Sequence, residues 1–167
     1  MRTADYWIQN LGLAAHPEGG FFKETYRAAG TIPHATLPGT FSGERNFSTA
    51  IYFLLRSHDK SLFHRIKSDE LWHFHAGTSL SIYILDQNGL TIRLLGTDLV
   101  KGEQPQVIIP ANVWFGAAVN DPDSYTLAGC TVAPGFDFQD FEMATQKQLL
   151  GQYPDQGDII RKLTLVQ

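Results

Sequence analysis

The hydrophobic residues between Asn46 and Thr131 fall in short runs in which apolar and polar positions tend to alternate, as they do along β-strands. The runs are FSTAIYFLL, SLFHRI, ELWHFHA, SLSIYIL, LTIRLLG, PQVIIP, VWFGAAV and YTLAGCTV. Turn-forming residues separate them, and Asn88 followed by Gly89 is a strong hairpin signal. Many short strands with no helices between them predict an antiparallel sandwich or barrel, an all-β fold.

The two ends of the chain have a helical pattern instead. Near the N-terminus, Thr3 is suited to cap a short helix that runs to about Asn10 and stops at Gly12. The turn His16–Gly20 follows, and after it comes a further strand-like run, FFKETYR. The strands are therefore predicted to carry helical segments at their flanks.

The C-terminal part of the chain changes from the strand period to the helix period. Residues 140–150 and 158–163 have the spacing of two amphipathic helices. We predict a single domain over residues 1–167, with a β-core at about 20–132 and a helical segment at about 137–163.

Composition indicates a globular protein, since apolar residues make up 43% of the chain and charged residues 18%. The net charge of −4 gives no basic footprint for nucleic acid or for an anionic membrane. No apolar run approaches the roughly 20 residues needed to span a bilayer, and the N-terminus has no apolar signal-peptide core. The single cysteine, Cys130, suits a reducing compartment. We expect a cytoplasmic protein that binds neither nucleic acid nor membrane.

One stretch, from His64 to Gly77, contains the most informative chemistry. Strand alternation places Glu70, Trp72 and Phe74 on the same face. A glutamate among aromatic residues is directed into an apolar cavity, and burying it costs several kcal/mol unless a partner or a raised pKa compensates. His64, on the preceding strand, is the expected partner of Glu70.

These residues resemble the motifs of the cupin superfamily. Glu70 and Gly77 fit the E-x6-G half of the first cupin motif, His64 stands where its first histidine belongs, and Pro110 to Phe115 fit the start of the second motif. The strings HPEGG, FHRIKSDELWHFHAG, PANVWFGA and GCTVAPGFDFQDFE further resemble an uncharacterised cupin family, over nearly the whole chain. The resemblance implies a double-stranded β-helix, or jelly-roll barrel, with a small-molecule pocket inside.

The departures from the motifs concern the metal ligands. Cupins that bind a metal hold it with three histidines and one glutamate, but here Ile66 and Phe115 replace two of the histidines, and Asn112 replaces a glycine. Only His64 and Glu70 remain, too few to close a stable coordination shell. We therefore expect no metal and no other cofactor, with a divalent metal at these two residues as the residual alternative.

Two further histidines, His73 and His75, alternate with Glu70 and are expected on the outer face of the sheet, covered by another strand or subunit. The exposed edge of the FFKETYR strand suggests a homodimer in which this strand extends a neighbour's sheet.

Three other features have modest interpretations. The HPEGG string is first of all a turn, with a lid over the barrel as the alternative. Glu24 and Arg27 are expected to form a salt bridge rather than to contact a substrate, and Cys130 is expected to be a small core residue.

The leading functional hypothesis is an isomerase or epimerase that works without a metal on a sugar-like or nucleotide-linked carbonyl compound. Metal-free cupins of this kind use a barrel histidine as the base, so the resemblance implies His64 as the base, with Glu70 orienting it. A tyrosine acid would come from Tyr52, Tyr83 or Tyr125. The residues predicted to contact the ligand are Tyr52, Ile66, Trp72, Phe74, Asn112 and Phe115.

Three alternatives stay open. His64 and Glu70 could simply satisfy each other as a structural pair. The protein could bind a metabolite without changing it, or it could be a metal-dependent oxygenase or isomerase that recruits His73 or His75.

Overall fold

The computed structural model of the chain describes residues 2–165. Its α-helices are α1 (Ala4–Leu11), α2 (Gln146–Gln152) and α3 (Gly157–Lys162). Its strands are β1 (Ala14–Ala15), β2 (Phe21–Arg27), β3 (Thr31–Ile32), β4 (Arg45–Asn46), β5 (Thr49–Arg56), β6 (Ser61–Arg65), β7 (Asp69–Gly77), β8 (Leu80–Asp86), β9 (Gly89–Leu95), β10 (Gln106–Ile109), β11 (Trp114–Val119), β12 (Tyr125–Ala133) and β13 (Glu142–Met143). Short 3-10 turns lie at residues 34–36, 99–101, 138–140 and 154–156.

Two antiparallel sheets face each other, as in a jelly roll. The larger has the strand order β1-β2-β5-β12-β7-β10, and the smaller has the order β13-β6-β11-β8-β9. The strands β3 and β4 form a separate pair. The predicted all-β jelly-roll fold is confirmed, and each run predicted between residues 46 and 131 corresponds to a strand, with ends shifted by one or two residues.

The inner faces of the two sheets enclose the main core. Phe53, Trp72 and Cys130 come from the larger sheet, and Ile82 and Phe115 come from the smaller one. Strand alternation brings these residues to one side of their strands, so the polar residues between them face outward.

The helices cover the outer faces of the sheets. Helix α1 begins at the predicted cap Thr3, ends at Gly12 in the left-handed conformation, and packs on the larger sheet against Leu54 and Leu127. Helices α2 and α3 pack on the smaller sheet through Leu149 and other apolar residues.

The predicted helix at residues 140–150 is wrong in its first half. Thr145 caps α2 with a capping box, so the helix begins only at Gln146. Before it, Asp140 ends a 3-10 turn and Glu142 begins β13, which pairs with β6. The helical spacing of this segment is overridden because the side chain of Asp140 is held inside the protein.

Asp140 is held by a buried ion pair with Arg45. Arg45 Nε and Nη2 each donate a hydrogen bond of 2.7 Å to the carboxylate, and both side chains are 3% exposed. Lys67 Nζ lies 3.4 Å from the same carboxylate. This pair fixes residues 136–141 against the barrel, where several of them line the cavity described below.

Strand β2 leaves part of its outer edge without a neighbouring strand. It pairs with β5 along its length, whereas β1 covers only Phe21 and Phe22. The homodimer expected at this edge stays a prediction. Within residues 2–165, none of the helices combines the length and the apolar character required to cross a bilayer.

We expect Arg45→Met to lower the free energy of unfolding by about 3 kcal/mol, because it leaves the Asp140 carboxylate buried with one weaker partner. Urea denaturation measures the change. Arg161→Met is the control, since Arg161 lies 3.7 Å from Asp158 at the surface and its loss should cost little. Equal effects of the two substitutions would contradict the importance assigned to the buried pair.

Candidate functional site

A cavity of about 270 Å³ lies inside the barrel between the two sheets. Its apolar wall is mainly aromatic and consists of Phe22, Phe53, Trp72, Phe136, Phe138 and Phe141, with Ile51, Ile66 and Val132. The ionisable residues in the wall are His16, Glu18, Glu24, Arg27, His64, Glu70, Cys130 and Asp137. Glu24, Arg27 and Phe138 are exposed and form the outer rim, whereas Glu18, His64, Glu70, Trp72 and Cys130 are buried and form the floor.

The HPEGG turn (His16–Gly20) reaches into this cavity because its backbone is pinned to the start of β6. The carbonyl oxygen of Glu18 accepts a hydrogen bond of 2.9 Å from the backbone N–H of Leu62. Gly19 has a φ of +109°, and a Cβ there would lie 2.1 Å from the carbonyl oxygen of Lys60. Only glycine permits this approach, so Gly19 is what brings the side chain of Glu18 inside the barrel.

Glu18 is the partner of His64. His64 Nε2 lies 2.9 Å from Glu18 Oε2, and the hydroxyl of Ser61 donates a 2.8 Å hydrogen bond to Glu18 Oε1. On the other side of the ring, His64 Nδ1 lies 2.7 Å from the carbonyl oxygen of Leu62. A carbonyl oxygen can only accept, so Nδ1 carries a hydrogen, and a carboxylate at Nε2 favours a second one.

The electrostatics of the pair agree with this assignment. Burial alone lowers the pKa of His64, but the charge and hydrogen bond of Glu18 and the Leu62 carbonyl raise it above its usual value. Burial alone raises the pKa of Glu18, but His64, His16 and Ser61 bring it below its usual value. The pair is therefore an imidazolium and a carboxylate, with both nitrogens of His64 engaged by the protein.

His16 lies next to this pair as a neutral ring. Burial lowers its pKa, the nearby Glu18 carboxylate opposes this in part, and His64 adds to the lowering. The backbone N–H of Glu18 donates to His16 Nδ1 at 3.2 Å, so the hydrogen of the neutral ring is on Nε2. The ring packs edge-on against Phe22, with a centroid distance of 4.6 Å.

Glu70 is the buried acid without a cationic partner in direct contact. Burial raises its pKa to about 7, since repulsion from Glu18 offsets part of the attraction to His64, and the hydrogen bond from Cys130 and the nearby Trp72 indole lower it only in part. Its neighbour Cys130 is a buried thiol whose pKa burial raises well above the usual value. Near neutral pH, Glu70 can therefore both give up and take up a proton.

The structure brings some of the predicted site residues together and leaves others outside. His64, Glu70, Ile66 and Trp72 line the cavity. However, His64 is bonded to Glu18, so the expected direct pairing of His64 with Glu70 is corrected: the two interact only through their charges.

The other four predicted contact residues lie outside the cavity wall. Phe74 packs in the core between the sheets, and Phe115 packs against the His64 ring at a centroid distance of 4.1 Å. Asn112 is exposed in a turn, where its φ of 64° explains why it can replace the glycine of the second cupin motif. Tyr52 packs in the outer cluster beneath α1.

The other two candidate tyrosines also face away from the cavity. Tyr125 belongs to the cluster beneath α1, and Tyr83 packs against the cluster beneath α2 and α3. Among residues 2–165, the cavity wall thus offers no tyrosine for the role of catalytic acid.

The metal ligands usual in cupins do not fit here. Ile66 and Phe115 place hydrocarbon at two of the four positions, and both nitrogens of His64 already face protein acceptors. In the part of the chain that the structure describes, no three His, Cys, Asp or Glu side chains are grouped to hold an ion. His73 and His75, the two proposed substitutes, lie outside the cavity wall, and His73 is near Gln106 and Thr131.

Sequence reasoning missed His16 and Glu18, because a Gly-containing turn was sufficient to explain their string. The available signal was two ionisable residues next to two glycines at the entrance to the first long strand. The salt bridge of Glu24 with Arg27 is confirmed at 2.7 Å, although both residues also belong to the cavity rim. Cys130 is confirmed as buried, and it lines the cavity as well.

We expect Glu18→Gln to lower the pKa of His64. The substitution removes the carboxylate charge that favours the imidazolium and leaves burial, which disfavours it, opposed only by the Leu62 carbonyl and the charge of Glu70. Titration of the His64 ring nitrogens by ¹⁵N NMR measures the shift. Asp121→Asn removes a charge from an exposed loop and is the control; an unchanged His64 titration in Glu18→Gln would contradict the assigned ion pair.

Glu70→Gln should stabilise the protein at high pH. Since the pKa of Glu70 is raised from 4.5 to about 7, the folded chain keeps a proton that the unfolded chain releases between these values. Its contribution to stability is therefore lost as the pH rises through this range. From about pH 4 to pH 8 the variant should gain about 3 kcal/mol relative to the wild type. Urea denaturation at the two pH values measures this gain, and a constant difference would contradict the raised pKa.

Comparison with known proteins shows which family has this arrangement. The family model described as Cupin superfamily (DUF985) matches residues 5–144. A protein from Shewanella oneidensis, known from its crystal structure, has 43% sequence identity to this chain. The two structures superpose with a TM-score of 0.89 over the full length of both chains. A hypothetical protein from Leishmania major is 32% identical, with a TM-score of 0.90 over 99% of this chain and 100% of its own.

An uncharacterised protein of Saccharomyces cerevisiae is 29% identical over 142 residues, which is 80% of this chain and 71% of the yeast protein. The match to the family model covers most of the chain, including the HPEGG turn, β6 and β7. The chain therefore belongs to the DUF985 family of the cupin superfamily.

Proposed function

We propose that this protein is a metal-independent isomerase or epimerase of a small carbonyl compound, in which Glu70 transfers the proton. The observation that supports this most directly is the Glu70 carboxyl, with a pKa of about 7, in the floor of an aromatic cavity. An acid–base group is most effective when its pKa lies near the working pH. The imidazolium of His64 in the same floor supplies a positive field.

The proposed step on an α-hydroxy carbonyl compound begins with ionised Glu70. Its oxygen takes the proton from the carbon next to the carbonyl, the C–H electron pair forms a C=C bond, and the carbonyl π pair moves to oxygen. Glu70 is then neutral, and the enolate charge is stabilised by the field of His64. Transfer of the hydroxyl proton to the other oxygen, and of the Glu70 proton to the former carbonyl carbon, completes an isomerisation.

This proposal exchanges the roles that the sequence suggested. The base was expected to be His64, but its nitrogens are bonded to Glu18 and to the carbonyl of Leu62. A base needs a free lone pair, whereas a fixed cation needs none. Glu70 therefore takes the role of the base, and Glu18 is a positioning residue that holds His64 in its charged form.

The cavity restricts the substrate class. Its volume of about 270 Å³ lies near the lower end of the range for small-molecule sites, and its wall is largely aromatic. A compact sugar-like carbonyl compound suits this space. Of a nucleotide-linked compound, only the reacting end would enter, with the nucleotide beyond the rim at Arg27 and Phe138.

A second candidate function is a binding module that holds a metabolite without changing it. It is favoured by the complete internal bonding of His64 and Glu18, which leaves their polar atoms satisfied without a substrate. Proton exchange on a bound carbonyl compound separates the two functions.

We expect the protein to catalyse exchange of carbon-bound hydrogen for deuterium in neutral hydroxy-carbonyl compounds such as dihydroxyacetone, glyceraldehyde and larger ketoses. Proton NMR in D₂O follows the exchange, with EDTA present to exclude a metal contribution. The rate should rise with pH through about 7 and then level off, because the ionised form of Glu70 is the active one. Glu70→Gln should slow exchange by about 10²- to 10⁴-fold.

The control is Asp121→Asn, which removes a charge outside the cavity and should keep the wild-type rate. Undiminished exchange in Glu70→Gln would show that Glu70 is not the base. Binding of these compounds without exchange would favour the binding module, and activity abolished by EDTA would overturn the metal-independent mechanism.

A further inference from the structure

Trp72 has a buried polar atom that the fold does not use. Its side chain lies in the cavity wall with 1% of its surface exposed. Within residues 2–165, its indole Nε1 is the one buried side-chain nitrogen or oxygen without a hydrogen-bond partner. Because an unpaired buried N–H costs folding free energy, its retention in a cavity wall points to an acceptor supplied by a ligand.

The neighbours of Trp72 do not take this hydrogen. Phe53 packs against the indole edge-to-face with a centroid distance of 5.3 Å and offers no acceptor atom. Cys130 stands opposite Trp72 on β12, and a thiol accepts hydrogen bonds only weakly. Glu70, two residues earlier on the same face, is near enough for the indole to lower its pKa, but Nε1 makes no hydrogen bond to its carboxylate.

The charges around the cavity indicate an uncharged ligand. Both cations in the wall already have carboxylate partners: Arg27 is bonded to Glu24 at 2.7 Å, and His64 to Glu18 at 2.9 Å. The further acids Glu70 and Asp137 face the same space. An anionic group would enter without a free cation and would be repelled by ionised carboxylates.

We propose that the indole N–H of Trp72 donates a hydrogen bond to a carbonyl oxygen of an uncharged ligand, and that this subsite excludes carboxylates and phosphates. The proposal deepens the function given above and rests on its claim that the cavity takes a carbonyl compound. It assigns different roles to two residues of the cavity wall. Trp72 holds the oxygen, and Glu70, on the same strand face, reaches the neighbouring carbon.

The test uses acetone and hydroxyacetone as uncharged probes and acetate as an anion of nearly the same size and shape as acetone. The readout is the indole N–H resonance of Trp72 in the ¹⁵N-labelled wild-type protein, assigned by its absence in Trp72→Phe. Ligands of so few atoms bind weakly, so the probes are titrated to about 0.5 M. The uncharged probes should move this resonance downfield in a saturable manner, and acetate should bind about tenfold or more weakly.

Trp7 provides the control, because its indole N–H already donates to the Tyr125 hydroxyl at 2.8 Å and should not respond. Trp7→Phe should leave the probe response of Trp72 unchanged. An unresponsive Trp72 resonance, or an equal response to acetate, would overturn the subsite. If Trp72 responds but no deuterium exchange occurs, the subsite stands and the isomerase proposal fails. If deuterium exchange occurs but the Trp72 resonance does not respond, the isomerase proposal stands and the subsite fails.

Discussion

The interior of this protein depends on the buried contact between Glu18 and His64. It joins a turn near the N-terminus to a strand of the smaller sheet, with both side chains removed from water. Burying two charges is costly, and here the cost is offset because Ser61 and the Leu62 carbonyl bind the remaining polar atoms. The same contact pins the HPEGG turn and sets the charge in the cavity floor.

The properties of Glu70 follow from this contact. Glu18 occupies one nitrogen of His64 and the backbone occupies the other, so Glu70 is left without a bonded cation. Its carboxyl lies beside an ion pair in which Glu18 offsets part of the attraction of His64, and the cavity wall around it is largely aromatic. Burial then dominates, and the pKa rises to about 7. A structural ion pair thus creates a titratable group next to it.

The barrel keeps the cupin fold, while two of the positions that hold ligands in metal-binding cupins carry hydrocarbon side chains. Asn112 has a left-handed conformation at the position of the motif glycine, and Phe115 stands at a motif histidine position with its ring packed on His64. Ile66 lines the cavity at another ligand position. Backbone geometry needs only a residue that tolerates a given φ or fits a given volume, whereas a metal needs specific donor atoms. The fold can therefore persist when the side chains at these positions change.

Features that depend on local periodicity and capping were predictable from the sequence. These are the succession of strands along the chain, the cap and stop of α1, and the shared face of Glu70 and Trp72. The sequence could not determine the partner of His64, because the contact with Glu18 joins two segments that are distant in the chain and meet only when the barrel closes.

The same limit explains two other differences. Tyr52 alternates with inward-facing Phe53, so its direction depended on which face of β5 the closed barrel buried between the sheets. Asp140 lies in a segment with helical spacing, but its bonds to Arg45 hold it in a 3-10 turn. Local patterns determine which residues share a face, whereas the partner of a buried charge can come from any segment that the fold brings close to it. Only the tertiary structure decides those partners, and with them the chemistry of the cavity.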